Sequence, residues 1–203
     1  MVAKKIIYFY NSDLSNMISL KEYIIQGVSA RSSIKIPTIE RVAKVLSECF
    51  LKGGKLIAFG NGGSAADAQH FVGELDGHFT KERRALPAIA LSTNTSSMTA
   101  IANDYSYDEV FSRPVSALAT DKDVVVGIST SGNSRNVINA IAAAKEKGAY
   151  TVAFTGRSGG KLKDMVDLLF NVESDFTPII QEVHISMIHM ICLELDRLQE
   201  NAE

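Results

Sequence analysis

From Lys55 onward, short apolar runs alternate with longer segments of helical periodicity, and this alternation constrains the fold more than any other feature. A continuous apolar run is typical of a parallel strand that is buried on both faces. Strands that alternate with helices indicate a parallel sheet covered by helices on both sides. The sequence therefore predicts an α/β fold whose strands lie at residues 55–59, 87–91, 123–128, 150–154 and 168–172.

The remaining segments are predicted to be helical. Residues 14–28 carry apolar residues at helical spacing, and a second N-terminal helix opens at Pro37 and ends before Gly53. We expect one domain over residues 1–203, with an N-terminal helical segment at 1–52 and an α/β core with a C-terminal helix at 55–199. Within that core, helices are predicted at residues 64–77, 97–103, 108–119, 133–147, 161–165 and 178–199.

Two loops rich in glycine and serine follow predicted strands, at the sheet edge where ligands bind in α/β proteins. The first comprises Asn61, Gly62, Gly63 and Ser64, and the second comprises Ser129, Thr130, Ser131, Gly132, Asn133 and Ser134. Each loop opens a helix, whose free backbone N–H groups and dipole attract an anion. Glycines let the backbone approach a ligand, and the hydroxyls add donors without adding charge. Together the loops predict a site for a phosphorylated small molecule.

Two nucleotide-binding motifs fit this sequence less well. Gly60, Gly62 and Ala65 match a dinucleotide-binding motif, but the next strand is not followed by the acidic residue that binds a ribose. Residues 156–161 resemble a phosphate-binding P-loop, but the spacing is one residue short, and Leu162 stands where a Ser or Thr would hold magnesium. We interpret this second segment as a glycine-rich turn after a strand.

Polar residues that could perform chemistry interrupt two predicted helices. His70 and Glu74 are four residues apart, so they lie on one face of the helix that begins at the first loop. Gln181 and His189 lie about 80° apart around the final helix, where an unpaired buried polar side chain would be costly. A carboxylate and an imidazole could act as base and acid in a proton transfer on a phosphosugar. The same four residues could instead hold a divalent metal, and zinc suits the His and Glu ligands.

Two other polar clusters have plainer interpretations. Asn103 and Asp104 end a predicted helix, and an ordinary helix stop is the alternative to a binding role. Lys81, Arg83 and Arg84 form a basic cluster, but an acidic residue interrupts them, and we interpret this segment as a solvated loop.

The final helix carries apolar residues around most of its circumference, which indicates burial from several sides. Another subunit is the simplest cover for such a helix, and burial within the monomer is the alternative, so we expect a homo-oligomer. A net charge of −2 gives no electrostatic reason to expect nucleic acid, and no apolar run approaches the length of a membrane span. We therefore expect neither a nucleic acid nor a membrane as partner.

Cysteine usage and the first residues bear on the cellular compartment. Cys49 and Cys192 are far apart in apolar helical segments, so we interpret both as small core residues in a reducing compartment. The apolar stretch at residues 6–10 is too short for an export signal. We expect a cytoplasmic protein.

These residues and their order resemble the sugar isomerase (SIS) domain family, and within it the branch that isomerises sedoheptulose 7-phosphate. The resemblance runs from about Lys55 to Leu195. The matching stretches are residues 60–64, 67–71 with Glu74, 87–91, 103–104, 111–113, 127–134 and 181–184 with His189. The resemblance implies a three-layer α/β sandwich of the flavodoxin-like type, with a five-stranded parallel sheet and N-terminal helices. It also implies a homotetramer with sites at subunit interfaces.

The resemblance implies roles for individual residues. Glu74 would be the base and His189 the acid of an enediol-type proton transfer between C1 and C2 of the sugar. One zinc ion per subunit would be held by His70, Glu74, Gln181 and His189. The two roles of Glu74 conflict in part, because a bound cation makes a carboxylate a poorer base. The substrate-binding residues would be Asn61, Gly62, Gly63, Ser64, Asn103, Asp104, Ser129, Thr130, Ser131, Ser134 and Gln181.

The implied reaction converts sedoheptulose 7-phosphate to D-glycero-D-manno-heptose 7-phosphate, for heptose in lipopolysaccharide core or capsule. The alternative is a non-catalytic branch of the same family, tetrameric adaptors that bind a replication initiator protein. Because that branch lacks counterparts of Glu74 and His189, their presence favours the enzyme. A phosphosugar sensor ranks last, because such regulators usually carry a DNA-binding segment. His78 and Pro178 depart from the residues that relatives carry at these positions, Arg and Asp.

Overall fold

A computed structural model describes residues 18–200 of the chain. The first part of the predicted helix at 14–28 and the stretch at 6–10 therefore lie outside the described residues. The helices are α1 Leu20–Ser32, α2 Ile36–Leu51, α3 Gly63–Asp76, α4 Thr95–Asp104, α5 Ser112–Leu118, α6 Arg135–Glu146 and α7 Thr177–Glu200. The strands are β1 Leu56–Gly60, β2 Ala88–Ala90, β3 Val124–Ile128, β4 Tyr150–Thr155 and β5 Leu168–Asn171. Short 3₁₀ helices span Tyr107–Glu109 and Gly160–Asp164.

The five strands form one parallel sheet in the order β2-β1-β3-β4-β5. Leu56 of β1 pairs with Ala88 of β2 on one side and with Val124 of β3 on the other. From β1 the chain continues to β2 on one side and then returns to β3 on the other side of β1. The crevice between the carboxyl ends of β1 and β3 is therefore the topological switch point. The predicted α/β class and five-stranded parallel sheet are confirmed, and both glycine-serine loops open at this crevice.

Successive residues of each strand enter opposite cores, because side chains alternate across a sheet. Ala58, Val126 and Phe154 pack in a core covered by α1, α2, α3 and α7. Phe59 and Val125 pack in a second core, covered largely by α5 and α6. The sheet is therefore the middle of three layers, and α3 and α7 lie on the same side of it.

Two predicted helices take a different form. The predicted helix at 108–119 is divided into the 3₁₀ helix Tyr107–Glu109 and α5 Ser112–Leu118. Pro114 explains the division, because proline lacks an N–H and fits a helix only in its first turn, where α5 places it. The predicted helix at 161–165 is the 3₁₀ helix Gly160–Asp164, a form common for such short connections.

The final helix is covered largely by its own chain. Ile180, Val183, Ile188 and Ile191 of α7 are buried among residues of the other helices on that side of the sheet. The helix contacts α1, α2 and α3. Its apolar circumference therefore does not itself require a second subunit, contrary to our interpretation of the sequence. None of the helices in residues 18–200 is long and apolar enough to span a bilayer.

Asp123 joins its own turn, residues 120–123, to the residue before β1 at the amino-terminal edge of the sheet. Its Oδ1 accepts a hydrogen bond from the backbone N–H of Lys55 at 2.9 Å. Its Oδ2 accepts bonds from Lys55 Nζ and from the backbone N–H of Thr120, both at 2.7 Å. Burial raises the pKa of this carboxyl, but the bonds from Lys55 and Thr120 outweigh it and hold the pKa below its usual range. Asp123 is thus a buried carboxylate with hydrogen-bond donors at both of its oxygens.

We predict that Asp123→Ala lowers the free energy of unfolding by about 3 kcal/mol, because the lysine and two backbone donors lose a buried partner. Urea denaturation followed by circular dichroism measures this change. Asp121→Ala is the matched control, since Asp121 lies two residues earlier in the same loop and is exposed. Its effect should stay within about 0.5 kcal/mol. Equal effects of the two substitutions would contradict the role assigned to Asp123.

Candidate active site

Two histidines and a glutamate from α3 and α7 meet at one point. The Nε2 of His70 lies 2.8 Å from Glu74 Oε1 and 3.1 Å from His189 Nε2. His189 Nε2 is 3.9 Å from the same glutamate oxygen. One ring nitrogen of His70 therefore faces both of its neighbours, although it carries at most one proton. Such crowding of acceptor atoms is what a shared proton or a bound cation would relieve.

The packing of α3 against the sheet explains where these side chains point. Ser64, Ala68, Phe71 and Leu75 form the buried stripe of α3. His70 and Glu74 lie on a neighbouring stripe, where α7 packs against α3. The side chains of His70 and Glu74 are 44% and 20% exposed, so a ligand can reach them from solvent. Both helices nevertheless contact the cluster.

The cluster has the donor set of a metal site. His70, Glu74 and His189 each offer one ligand atom, and these atoms lie within 4.8 Å of one another. Two imidazole nitrogens and one carboxylate oxygen are ligands that zinc accepts. The residues present therefore fit a zinc ion with a further coordination position for a ligand.

Gln181 lies at the other end of the α3–α7 contact. A Cβ atom added at Gly63 would be 2.5 Å from Gln181 Nε2, so the amide rests directly on the first residue of α3. A side chain at position 63 would displace this amide. Gln181 thus reaches the first glycine-serine loop, eight residues before His189 on the same helix.

The hydroxyls of the second loop converge before α6. Ser129 Oγ donates to Ser134 Oγ at 3.0 Å and lies 3.5 Å from Ser131 Oγ. Ser134 is the N-cap of α6, and its side chain makes no capping hydrogen bond. The N–H of Val137 is bonded to Asn136 Oδ1, so the N–H groups of Arg135 and Asn136 are the ones at the start of α6 that could join these hydroxyls in binding a phosphate.

The glycine-rich turn after β4 supports this loop from behind. The N–H of Gly156 donates to the carbonyl of Thr130 at 2.8 Å. A Cβ atom on Gly132 would lie 2.1 Å from the carbonyl oxygen of Gly159, and one on Gly160 would lie 2.5 Å from that of Ser131. The turn is thus a packing surface for the serine loop and not a P-loop, in agreement with our interpretation of its sequence.

Asn61 of the first loop is held by two residues that the sequence analysis missed. Its side-chain amide exchanges hydrogen bonds of 2.9 Å with Asn136, and its Oδ1 accepts a bond of 3.0 Å from the Tyr107 hydroxyl. Asn136 is buried, whereas Tyr107 is exposed. Asn136 directly follows the N-terminal residue of α6, but nothing in its residue type or spacing distinguished it. One amide hydrogen of Asn61 is left for a ligand.

The other predicted substrate residues are placed as follows. Gly62 has a φ of 56°, a left-handed conformation that favours glycine, and Ser64 is buried beneath it at the start of α3. Asn103 and Asp104 lie at the exposed C-terminal end of α4, where Asn103 Nδ2 donates to Asp104 Oδ1 at 2.9 Å. Within residues 18–200 this pair makes no hydrogen bond to either loop.

The helices that carry the cluster hold two further ionisable residues, the half-buried Asp67 on α3 and the buried His184 on α7. Asp67 lies one turn before His70, and burial raises its pKa to about 6, while the nearby His70 acts in the opposite direction. Its Oδ2 has no hydrogen-bond partner in the described chain. His184 is fully buried and donates from Nε2 to the carbonyl of Thr155 at 3.1 Å. Burial lowers the pKa of His184 to about 4, so it is a neutral core residue.

The chain is similar to known proteins over most of its length. A family model of the SIS domain matches residues 22–156. A probable phosphoheptose isomerase from Thermoplasma acidophilum is 63% identical over 176 residues, which are 87% of this chain and 97% of that relative.

Two solved structures of phosphoheptose isomerases resemble the whole fold. The structure from Neisseria gonorrhoeae has a TM-score of 0.80 at 42% identity, and covers 97% of this chain and 100% of that chain. The structure from Francisella tularensis has a TM-score of 0.83 at 34% identity, with the same coverage of 97% and 100%. Sequence and fold therefore agree on one family.

Proposed function

The chain belongs to the SIS domain family and is an isomerase, and we propose that it converts sedoheptulose 7-phosphate to D-glycero-D-manno-heptose 7-phosphate. Its relative in Thermoplasma acidophilum is named a probable phosphoheptose isomerase, and the similar structure from Neisseria gonorrhoeae is named a phosphoheptose isomerase. The observation that carries the proposal is the pairing of Glu74 with His189 across two helices, 3.9 Å apart. A carboxylate and an imidazole at this distance suit a proton transfer between neighbouring atoms of a sugar.

The reaction moves hydrogen from C1 to C2 of the open-chain sugar. In the proposed mechanism, the Glu74 carboxylate removes a proton from C1, and the C2 carbonyl oxygen takes a proton from His189 to give an enediol. Glu74 then returns its proton to C2, and the hydroxyl on C1 gives its proton to His189. The products are an aldehyde at C1 and a hydroxyl at C2, and both residues end as they began.

The two loops would hold the phosphate and the sugar hydroxyls. Ser64, Ser129, Thr130, Ser131 and Ser134 would bind the phosphate together with the N–H groups of Gly62, Gly63 and α6. The remaining amide hydrogen of Asn61 would bind a sugar hydroxyl. Asn103, Asp104 and Gln181 would orient further hydroxyls or assist ring opening. The convergence of the Ser129 and Ser134 hydroxyls supports the phosphate assignment.

We also propose that one zinc ion per subunit is held by His70, Glu74 and His189. Gln181, whose amide rests on Gly63 in this structure, would turn toward the cluster to serve as the fourth protein ligand. When bound, zinc would polarise an oxygen of the substrate as a Lewis acid. The ion would also lower the basicity of Glu74. Glu74 would therefore be a stronger base without the metal than with it.

The proposed assembly is a homotetramer in the cytoplasm, with its product used for heptose of lipopolysaccharide core or capsule. Leu20, Ile24 and Val28 of α1 support self-association, because they recur every four residues and are 84%, 64% and 62% exposed. An apolar stripe of this kind is typical of a helix that packs against another protein surface. Both cysteines are free and buried, as in proteins of a reducing compartment.

We predict turnover of sedoheptulose 7-phosphate to an aldoheptose 7-phosphate, followed by NMR. The protein is tested as purified, after chelation and after zinc is restored. Loss on chelation with recovery on zinc addition is expected if zinc serves the reaction, whereas full activity after chelation would contradict the zinc proposal alone. No turnover in any of the three conditions would contradict the isomerase and favour the adaptor alternative.

We predict that Glu74→Gln and His189→Asn each lower kcat by about 10²- to 10⁴-fold, because each removes a proton-transferring group. The fold is checked by circular dichroism and the assembly by light scattering. Glu82→Gln is the control, since Glu82 is an exposed carboxylate in the segment that follows α3. Activity near that of the unmodified protein in either site variant would overturn the assigned roles.

We predict that Ser129→Ala raises KM about tenfold, because a hydrogen bond to a charged phosphate contributes about 1.5 kcal/mol. Steady-state kinetics separates this effect from a change in kcat. Ser116→Ala, at an exposed serine of α5, should leave KM unchanged. An unchanged KM in Ser129→Ala would count against phosphate binding by this loop.

A further inference from the structure

The segment between α3 and β2 holds a buried arginine that the sequence analysis placed in a solvated loop. That interpretation is wrong for Arg83, whose side chain is only 8% exposed, although Lys81 and Arg84 are exposed. Its partner is Asp196 of α7, whose side chain is 2% exposed. Arg83 Nε donates to Asp196 Oδ1 at 3.1 Å.

Arg83 also binds the end of α3. Its Nη2 donates to the backbone carbonyl of Glu74 at 2.6 Å, and its Nη1 donates to that of Leu75 at 2.9 Å. The last carbonyls of a helix lack partners within the helix, so the guanidinium completes α3 at the residue that carries the proposed base. Its Nη1 also donates to the carbonyl of Arg84 at 3.2 Å. The arginine side chain thus serves three carbonyls and a carboxylate at once, more acceptors than the three donors of a lysine could.

Asp196 is fixed from the same segment. Its Oδ2 accepts bonds from the backbone N–H of Thr80 at 3.1 Å and from the Thr80 hydroxyl at 2.8 Å. Burial raises the pKa of Asp196, but these bonds and Arg83 outweigh it and hold the pKa below its usual range. The residue stays charged at neutral pH and is tied to the segment by both oxygens.

The same segment touches the proposed acid directly. The ring of Phe79 stacks on the ring of His189, with centroids 5.6 Å apart and planes inclined by 26°. Asp196 lies seven residues after His189 on α7, two turns along and on nearly the same face. Residues 79–83 thus contact α3 at Glu74 and α7 at His189 and Asp196.

We propose that Arg83 and Asp196 are a positioning pair, which fixes α3 against α7 and so holds Glu74 and His189 at their working separation. This inference rests on the proposed function. A buried ion pair is a poor device for stability alone, because desolvation offsets most of the attraction between its charges. The pair instead contacts the helices that carry Glu74 and His189, which suits a role in positioning these two side chains. A misplacement of about 1 Å in an active site can cost about 10²-fold in rate.

Arg83→Lys and Asp196→Asn test the pair, because each keeps size but loses part of the bonding. We expect kcat to fall about 10- to 100-fold in each, with KM within about threefold of the unmodified protein. In the double variant, kcat should fall by less than the product of the two single-variant factors, since both residues act through one contact. Zinc affinity, measured by competition with a chelator, should fall by about 10-fold or more, because the ligands share the same two helices.

Two controls separate positioning from general stability. Arg84→Lys changes the adjacent exposed arginine, and Glu194→Gln breaks an ion pair with the exposed Arg197, two residues before Asp196 on the same helix. Both should leave kcat, KM and zinc affinity unchanged. If Arg83→Lys or Asp196→Asn fails to fold, Thr80→Val removes one bond to Asp196 and should lower kcat about threefold at constant KM.

Three outcomes overturn the inference. The first is a lower melting temperature with unchanged kcat and zinc affinity, which would make the pair purely structural. The second is a raised KM with unchanged kcat, which would indicate substrate binding. The third is additive losses in the double variant. If the unmodified protein shows no turnover, the proposed function fails, and zinc affinity alone still tests whether the pair sets the geometry of the cluster.

Discussion

The packing of α3 against α7 is the contact on which the site depends. His70 and His189 are 119 positions apart in the chain, yet their ring nitrogens lie 3.1 Å apart because both helices cover the same side of the sheet. Along this one contact lie Gln181 beside Gly63, the histidine–glutamate cluster and the Arg83–Asp196 pair. Any shift between the two helices would change all three together. For this reason we propose that the buried Arg83–Asp196 pair, at one end of the α3–α7 contact, affects proton transfer by Glu74 and His189.

The parallel sheet supplies the second half of the site. Because the strands all run in one direction, the loops after β1 and β3 open at the same edge, and the strand order makes them neighbours. The Asn61–Asn136 amide pair joins the two loops at this crevice. The glycine turn after β4 then supports the serine loop at distances that only glycine permits. The serine loop is therefore shaped by the ends of three strands, although its hydroxyls follow only one of them, β3.

Several residues of the candidate site were recognisable in the sequence because their signals are local. His70 and Glu74 are one helical turn apart, and Ser129 to Ser134 directly follow an apolar strand. Pro114 also carried a local signal, and the division of the predicted helix at 108–119 could have been foreseen from it. Arg83 could not be distinguished from its neighbour Arg84, because residue type and spacing are alike and only one of them meets Asp196 and the carbonyls of α3. The sequence patterns also did not show that α7 is buried by its own chain, because the helices that cover it, α1 and α2, are distant in sequence.

The sequence by itself determined the class of fold and the residues that could react. Apolar runs, helical periodicity and glycine-serine loops act over a few residues, and their patterns do not depend on the rest of the chain. The tertiary structure alone decided which of these residues meet, which charges are buried and which polar atoms are paired. Those properties depend on contacts between segments far apart in the chain, because burial and hydrogen bonding are set by whatever a helix or loop packs against. The three-residue cluster and the arginine–aspartate pair exist only at that level.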